Sequence, residues 1–183
     1  MRGPDLVHLT LATGRVLEEH GSIDYCIHGA GAEESRLVAD KDTAAFHRVY
    51  DGKALGGLAL AQSLPADCLL VTMGSVAGRF GNAGQVDYSA ANDGLARMGS
   101  ARGRSLHIDW TAWDDVGMAV RGGMKHLLTD RGVVEVGLAD EPITLDAVEV
   151  TLGEGDGEPP VAPGDLVVVT GGARGVTARV AVE

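Results

Sequence analysis

The chain has 183 residues, 45% of them hydrophobic and only 4% aromatic, with 27 glycines and a net charge of −11. That length suits one domain able to bury most of its apolar surface around an aliphatic core, and the composition excludes a disordered tail. The acidic balance excludes nucleic acid and an anionic membrane surface as partners, since both are held through clustered Lys and Arg.

Residues 5–20 are predicted to form a helix ending at Gly21, with Leu6, Leu9, Thr13, Val16 and Leu17 on one face. Residues 23–27 read as a short strand that breaks at His28-Gly29-Ala30-Gly31. Helical spacing then runs through Ala45, Val49, Leu55, Leu58 and Leu60, giving a helix over 43–63 that Pro65 closes, although Gly52, Gly56 and Gly57 weaken it. Residues 68–72 are a nearly continuous apolar strand of the kind covered on both faces in a parallel sheet. A glycine-rich loop, 73–87, leads to a helix over 88–99, and 105–110 is a further strand. Beyond Met118 the pattern suggests a short helix near 123–130, and 143–152 fits either strand or helix. A linker of Gly, Glu, Asp and Pro follows over 153–163, then a buried strand over 166–169 and the start of a helix over 173–183. Strands alternating with helices predict a parallel α/β sheet. Cys26 and Cys68 lie in apolar runs and read as reduced, buried thiols, which fits a reducing cytoplasm. No run is long enough to span a membrane, and the N-terminus lacks the apolar core of a signal peptide.

Two motifs carry chemistry. Loop 73–87 joins a buried strand to a helix, so it lies at the carboxyl end of the sheet, where such folds bind ligands. Ser75 opens the loop, Tyr88 follows thirteen positions later, and Asn92 stands one helical turn beyond on the same face. Lys53 comes from the preceding helix. Reduction of a ketone by hydride needs a proton donor at the carbonyl oxygen. A tyrosine serves if a nearby cation lowers its pKa, a serine hydroxyl holds the same oxygen, and an amide orients water or a ribose. The second motif is a glycine turn after four apolar residues, Thr170-Gly171-Gly172-Ala173-Arg174-Gly175, suited to receive a phosphate at a helix start. Arg174 fits an adenosine 2′-phosphate or simple exposure to solvent. His28 reads as a residue that supports the backbone rather than as a catalyst, and His20, His47 and His126 have no spacing that suggests a metal site.

Gly74-Ser75-Val76-Ala77-Gly78 with Gly84-Gln85-Val86-Asp87-Tyr88-Ser89-Ala90-Ala91-Asn92 resembles the ketoreductase domains of polyketide and polyunsaturated-fatty-acid synthases, within the short-chain dehydrogenase/reductase superfamily. Ordinary members of that superfamily place a lysine four residues after the tyrosine. Here that position is Asn92, and the synthase ketoreductases share this swap, with the lysine supplied from the preceding helix as Lys53 is. The segment from Asp109-Trp110 to Met118 resembles the stretch after the active site. Ile27-His28-Gly29-Ala30-Gly31 resembles the turn behind the nicotinamide ribose, and Thr170 to Ala178 the phosphate-binding turn.

The resemblance implies a Rossmann-like parallel sheet with helices on both faces, NADPH as cofactor, and reduction of a β-ketoacyl thioester tethered to an acyl carrier protein. Catalytic roles fall on Lys53, Ser75, Tyr88 and Asn92, and cofactor contacts on Gly29, Ala30, Gly31, Thr170, Gly171, Gly172, Arg174 and Gly175. No metal is implied, and other synthase domains are the expected partners in the cytoplasm. The Leu-Asp-Asp signature of one stereochemical class is absent, the matching stretch being Ala32-Glu33-Glu34-Ser35. The tryptophan of the other class would fall near Phe80.

The order of the parts is unusual. The glycine turn comes last rather than first, and the family's second and third strands have no counterpart. The expected organisation is a catalytic part over 1–138, a linker over 139–163 and a glycine-turn unit over 164–183. A circular permutation, a chain spanning the end of one reductase and the start of another, and pieces joined out of natural order all fit this arrangement. A reductase and a non-catalytic structural or interaction fragment are the two functional readings. Placement of strand 166–169 in the same sheet as 23–27 separates them.

Overall fold

The computed structural model describes residues 6–111, 161 and 163–171. Four parallel strands form one sheet: β1 (Tyr25–His28), β2 (Leu69–Ser75), β3 (Ser105–Trp110) and β4 (Val167–Thr170), in spatial order β3-β2-β1-β4. The strand expected over 166–169 therefore lies beside the one expected over 23–27, with Cys26 opposite Val168 and His28 opposite Thr170. Pairing joins the edges of the two strands without covering their faces: β4 is half-buried along its length, so the strand expected as buried over 166–169 is only partly so.

The helices are α1 (Leu6–His20), α2 (Thr43–Tyr50), α3 (Gly56–Ser63), α4 (Val76–Phe80) and α5 (Val86–Ala101). Ile23, Cys26, Leu60, Leu64, Cys68 and Leu70 form a buried cluster, with Val16, Leu17 and Val168 packed against it. Each fully buried aliphatic side chain contributes about 1.5–3 kcal/mol. Arg102, at the end of α5, donates to the carbonyls of Ala61, Pro65 and Cys68, which supplies a partner to the C-terminal turn of α3 and fixes the entry to β2. Both cysteines are free and buried, and burial pushes the Cys26 thiol up to about 12. The helices expected over 123–130 and 173–183, and the segment 143–152, lie outside the described residues.

Three expectations about the elements change. The segment 43–63 is not one regular helix: a π-helical turn, Asp51–Leu55, separates α2 from α3, and Lys53 stands in its middle. The glycines flagged as weak points fall in or beside that turn, where departure from the α-helical ladder costs least. The region expected as loop 73–87 begins as strand and continues as helix, because β2 runs on to Ser75 and pairs with β3 up to Ser75 opposite Trp110. Gly74 permits this extension, since a methyl group there would overlap the ring of His107. Finally, α5 starts two residues before Tyr88, so the tyrosine lies inside its first turn.

Candidate active site

The carboxyl ends of β1, β2 and β4 converge on one region. The chain lays β1, β2 and β3 in one direction and then adds β4 on the other side of β1, so strand order reverses between β1 and β4. That reversal is where open α/β sheets form a ligand crevice.

Ser75 ends β2 in extended conformation and caps α4, its Oγ accepting from the Ala77 N–H at 3.2 Å. The same hydroxyl acts on the side chain of Tyr88. Tyr88 is buried, and burial raises its pKa. The Ser75 hydroxyl and the Asn92 amide pull the value back, while the Glu33 carboxylate adds to the rise. The sequence expectation that a cation would lower this pKa is therefore corrected: desolvation outweighs the neighbours, and the phenol is held in its protonated form.

Lys53 is 4% exposed, and its ammonium lies 5.8 Å from the centre of the Tyr88 ring. It donates to the Met73 carbonyl at 2.6 Å. Among the described residues no carboxylate pairs with it, and burial pushes its pKa down to about 8. Asn92 is fully buried and donates through Nδ2 to the Tyr88 carbonyl at 2.7 Å, one helical turn back. Its Oδ1 has no hydrogen-bond partner among the described residues. Gly78 makes this packing possible, since a methyl group there would come within 2.8 Å of Asn92 Cβ. The structure thus brings Lys53, Ser75, Tyr88 and Asn92 together.

Gly29 to Gly31 leave β1 beside the end of β4. The Gly29 N–H donates to the Thr170 carbonyl at 2.8 Å. Gly171 has φ +75°, and a side chain there would approach Ala30 N to 2.5 Å, so only glycine lets the two turns meet. A Cβ on Gly31 would stand 3.6 Å from the Lys53 ammonium. Gly172, Arg174 and Gly175 lie outside the described residues. The site offers a dinucleotide a fitting set of groups: glycine turns allowing close backbone approach, a buried ammonium with donors to spare, and the unpartnered Asn92 Oδ1. Among the described residues, no group of His, Cys, Asp and Glu could hold a metal ion. No described helix is long and apolar enough to cross a membrane.

One feature beneath the tyrosine escaped sequence reasoning. Asp87, which precedes Tyr88, is fully buried and accepts from the Lys41 ammonium at 2.6 Å. Its other oxygen accepts from the Tyr88 N–H at 2.9 Å. Lys41 also donates to the Glu34 carbonyl, so segment 33–41 is tied to the start of α5. Gln85 donates to Glu33 and Ser35, and the Arg36 N–H donates to the Gly84 carbonyl, which closes the same seam. Forty-six positions separate Lys41 from Asp87, and neither residue stands out locally as one of a pair.

Residues 5–115 match the family model for the KR domain. Among curated proteins, the chain is 36% identical over 129 residues to polyketide synthase ThaG of Burkholderia thailandensis, covering 63% of this chain and 2% of that protein. It is 31% identical over 140 residues to erythronolide synthase EryA3 of Saccharopolyspora erythraea, covering 70% of this chain and 4% of that protein. The chain therefore spans only a few per cent of the length of these relatives. Among solved structures, the ketoreductase PlmKR1, from the first module of phoslactomycin biosynthesis in Streptomyces sp. HK803, aligns with TM-score 0.65 and 25% identity over 73% of this chain and 32% of that one. A ketoreductase domain from the bacillaene assembly line aligns with TM-score 0.62 and 26% identity over 73% of this chain and 35% of that one. The expectation drawn from the Ser-Tyr-Asn motif and Lys53 thus agrees with the match, and the chain belongs to the KR-domain family, the ketoreductases of polyketide synthases within the short-chain dehydrogenase/reductase superfamily.

Proposed function

We propose that this chain carries the reductive site of a synthase, reducing a β-ketoacyl thioester on an acyl carrier protein to the β-hydroxyacyl thioester with NADPH. The observation that carries the reading is the buried Lys53 ammonium, 5.8 Å from the Tyr88 ring and without a carboxylate partner among the described residues, with Ser75 and Asn92 at the same tyrosine. Bound NADPH would supply the hydride. Tyr88, protonated at neutral pH, donates its phenolic proton to the carbonyl oxygen as negative charge develops there. Ser75 donates a second hydrogen bond to that oxygen and fixes its place. The Lys53 charge stabilises the tyrosinate left behind, and the Asn92 Oδ1 orients the water or ribose hydroxyl that returns a proton. Gly29, Ala30 and Gly31 with Thr170, Gly171, Gly172, Arg174 and Gly175 would hold the dinucleotide. In this reading residues 1–138 are the catalytic part, 139–163 a linker and 164–183 the glycine-turn unit. Other domains of the synthase are the partners.

The test is a titration with NADPH and NADH together with reduction of a β-ketothioester followed by cofactor absorbance. NADPH is expected to bind more tightly, and Tyr88→Phe to lower the rate by about 10²–10⁴-fold, the usual contribution of general acid catalysis. Equal rates for parent and variant would remove Tyr88 from the mechanism. Absence of both binding and turnover would favour the interaction-fragment reading.

A further inference from the structure

Among the described residues, His28 is the buried imidazole at the site that the chemistry above does not use. It ends β1 with 1% exposure, opposite Thr170 of β4 and Thr72 of β2. Its Nε2 lies 2.9 Å from the carbonyl oxygen of Lys53, and its Nδ1 lies 2.8 Å from Thr170 Oγ1. A carbonyl can only accept, so Nε2 must carry the proton. Nδ1 is then an acceptor, and the Thr170 hydroxyl donates to it. The two partners together assign the tautomer.

The ring is wedged against the helix as well as bonded to it. A methyl group on Gly56 would come within 3.4 Å of His28 Cε1, and one on Gly57 within 3.3 Å of Cδ2. The carbonyl that His28 holds belongs to the π-helical turn, where the regular ladder is interrupted. The Gly56 N–H donates to the same carbonyl from within the helix, and His28 adds a second donor from outside it. Burial pushes the His28 pKa down to about 4, so the ring stays neutral at physiological pH and the polarity of both bonds is constant.

We infer that His28 is a positioning residue: by bonding the Lys53 carbonyl and Thr170 at once, it fixes the turn that holds the Lys53 ammonium against Tyr88 and ties that turn to the strand that opens the glycine turn. This rests on the roles given above to Lys53 and Tyr88. It adds a mechanical link between the cofactor end of β4 and the catalytic cation, made by one side chain 142 positions from one partner and 25 from the other.

Two substitutions divide the imidazole into its halves. His28→Gln puts an amide N–H near the place of Nε2 and keeps the bond to Lys53. His28→Asn offers an oxygen near Nδ1 for the Thr170 hydroxyl but reaches no further. Among the described residues, Tyr88 from α5 and His28 from β1 are the ionisable side chains beside Lys53. The titration of Lys53, followed by NMR of carbon-labelled lysine and assigned with Lys53→Met, therefore reports its burial directly. In the parent it should centre near 8. In His28→Asn it should move toward the ordinary 10.5, with kcat falling by on the order of 10²-fold at unchanged KM for the ketone. His28→Gln should restore both.

Equal losses in the two variants, or a folded His28→Asn whose Lys53 still titrates near 8, would overturn the proposal. Should His28→Asn not fold, His28→Leu carries the same test, keeping bulk against Gly56 and Gly57 while removing the donor to the Lys53 carbonyl. An upward move of the Lys53 titration supports the proposal, and none refutes it. A parent without turnover would sink the reductase reading, while the lysine titration would still decide the role of His28.

Discussion

Replacing Lys53 with methionine and replacing Lys41 with methionine make the same chemical change in two buried places, and the structure predicts opposite signs. Among the described residues Lys53 has no carboxylate beside it, and burial lowers its pKa from 10.5 to about 8. At about 1.4 kcal/mol per pKa unit, carrying that charge at pH 7 costs about 3 kcal/mol. Methionine removes the cost, keeps most of the volume, and gives up one hydrogen bond to Met73, which contributes about 1 kcal/mol. The net expectation is a protein more stable by about 2 kcal/mol that no longer turns over.

Lys41 is the reverse case. Its ammonium is 4% exposed and lies 2.6 Å from an Asp87 carboxylate that is 1% exposed. Methionine there strands a buried carboxylate, which costs about 3–5 kcal/mol. Urea unfolding at pH 7 reads both variants, and the midpoint should rise for Lys53→Met and fall for Lys41→Met. Adding Asp87→Leu to Lys41→Met should recover most of the loss, because the pair then leaves together. The pH dependence fixes the sign independently. Between pH 8 and 10.5 the folded parent binds fewer protons at Lys53 than the unfolded chain, so its stability rises with pH through that window. The advantage of Lys53→Met should therefore shrink from pH 8 upward. Falls of similar size for both variants would refute the assignment of Lys53 as an uncompensated buried charge.

Glycine substitutions test the packing around the site. Gly57→Ala forces a methyl group into Leu95 and the His28 ring and should cost about 1–3 kcal/mol in urea unfolding, whereas Gly52→Ala meets nothing within 4 Å and should be neutral or slightly stabilising. Gly78→Ala presses on Asn92 and the backbone of α5, so kcat should fall further than stability does when both are measured on one preparation. Ser75→Ala removes both the cap of α4 and the hydrogen bond to Tyr88. It should lower stability by about 1 kcal/mol, and the loss of activity should exceed what that destabilisation explains.

What the sequence shows and what it hides follow from the reach of each interaction. The strands were readable because valine and leucine runs such as Val167-Val168-Val169 signal cover on both faces whatever they pair with. Tyr88 and Asn92 were readable because helix periodicity places them on one face, and Ser75 because it stands where a buried strand ends. The π-helical turn at Lys53 was not, since nothing local distinguishes it from a glycine-weakened helix. What holds it is a carbonyl bonded by His28, 25 positions away. The Lys41–Asp87 pair was hidden for the same reason, and the rise in the Tyr88 pKa because burial is a property of the folded whole.

The chain order, which set this sequence apart, bears differently on fold and on chemistry. A doubly wound sheet runs 3-2-1-4-5-6 across its strands. Reading β4 as the first strand and β1, β2 and β3 as the fourth, fifth and sixth reproduces the 1-4-5-6 part of that order without a break. The neighbour relations among these four strands are kept, and the covalent path between them differs. Everything proposed for the site depends on those relations: Gly171 against Ala30, Thr170 against His28, the Lys53 carbonyl against the same imidazole, and the Lys53 ammonium against Tyr88. None of these contacts requires that β4 precede β1 in the chain. Connectivity acts instead on the entropy of bringing β4 to the sheet, a term that grows only slowly with the length of chain between them. Removing the Thr170–His28 bond by Thr170→Val should therefore loosen β4 before it loosens the rest, and amide exchange at Val168 and Thr170 should quicken while that at Leu70 and Thr72 does not. Uniform quickening across all four strands would mean that β4 is held by the sheet as a whole and not by this bond.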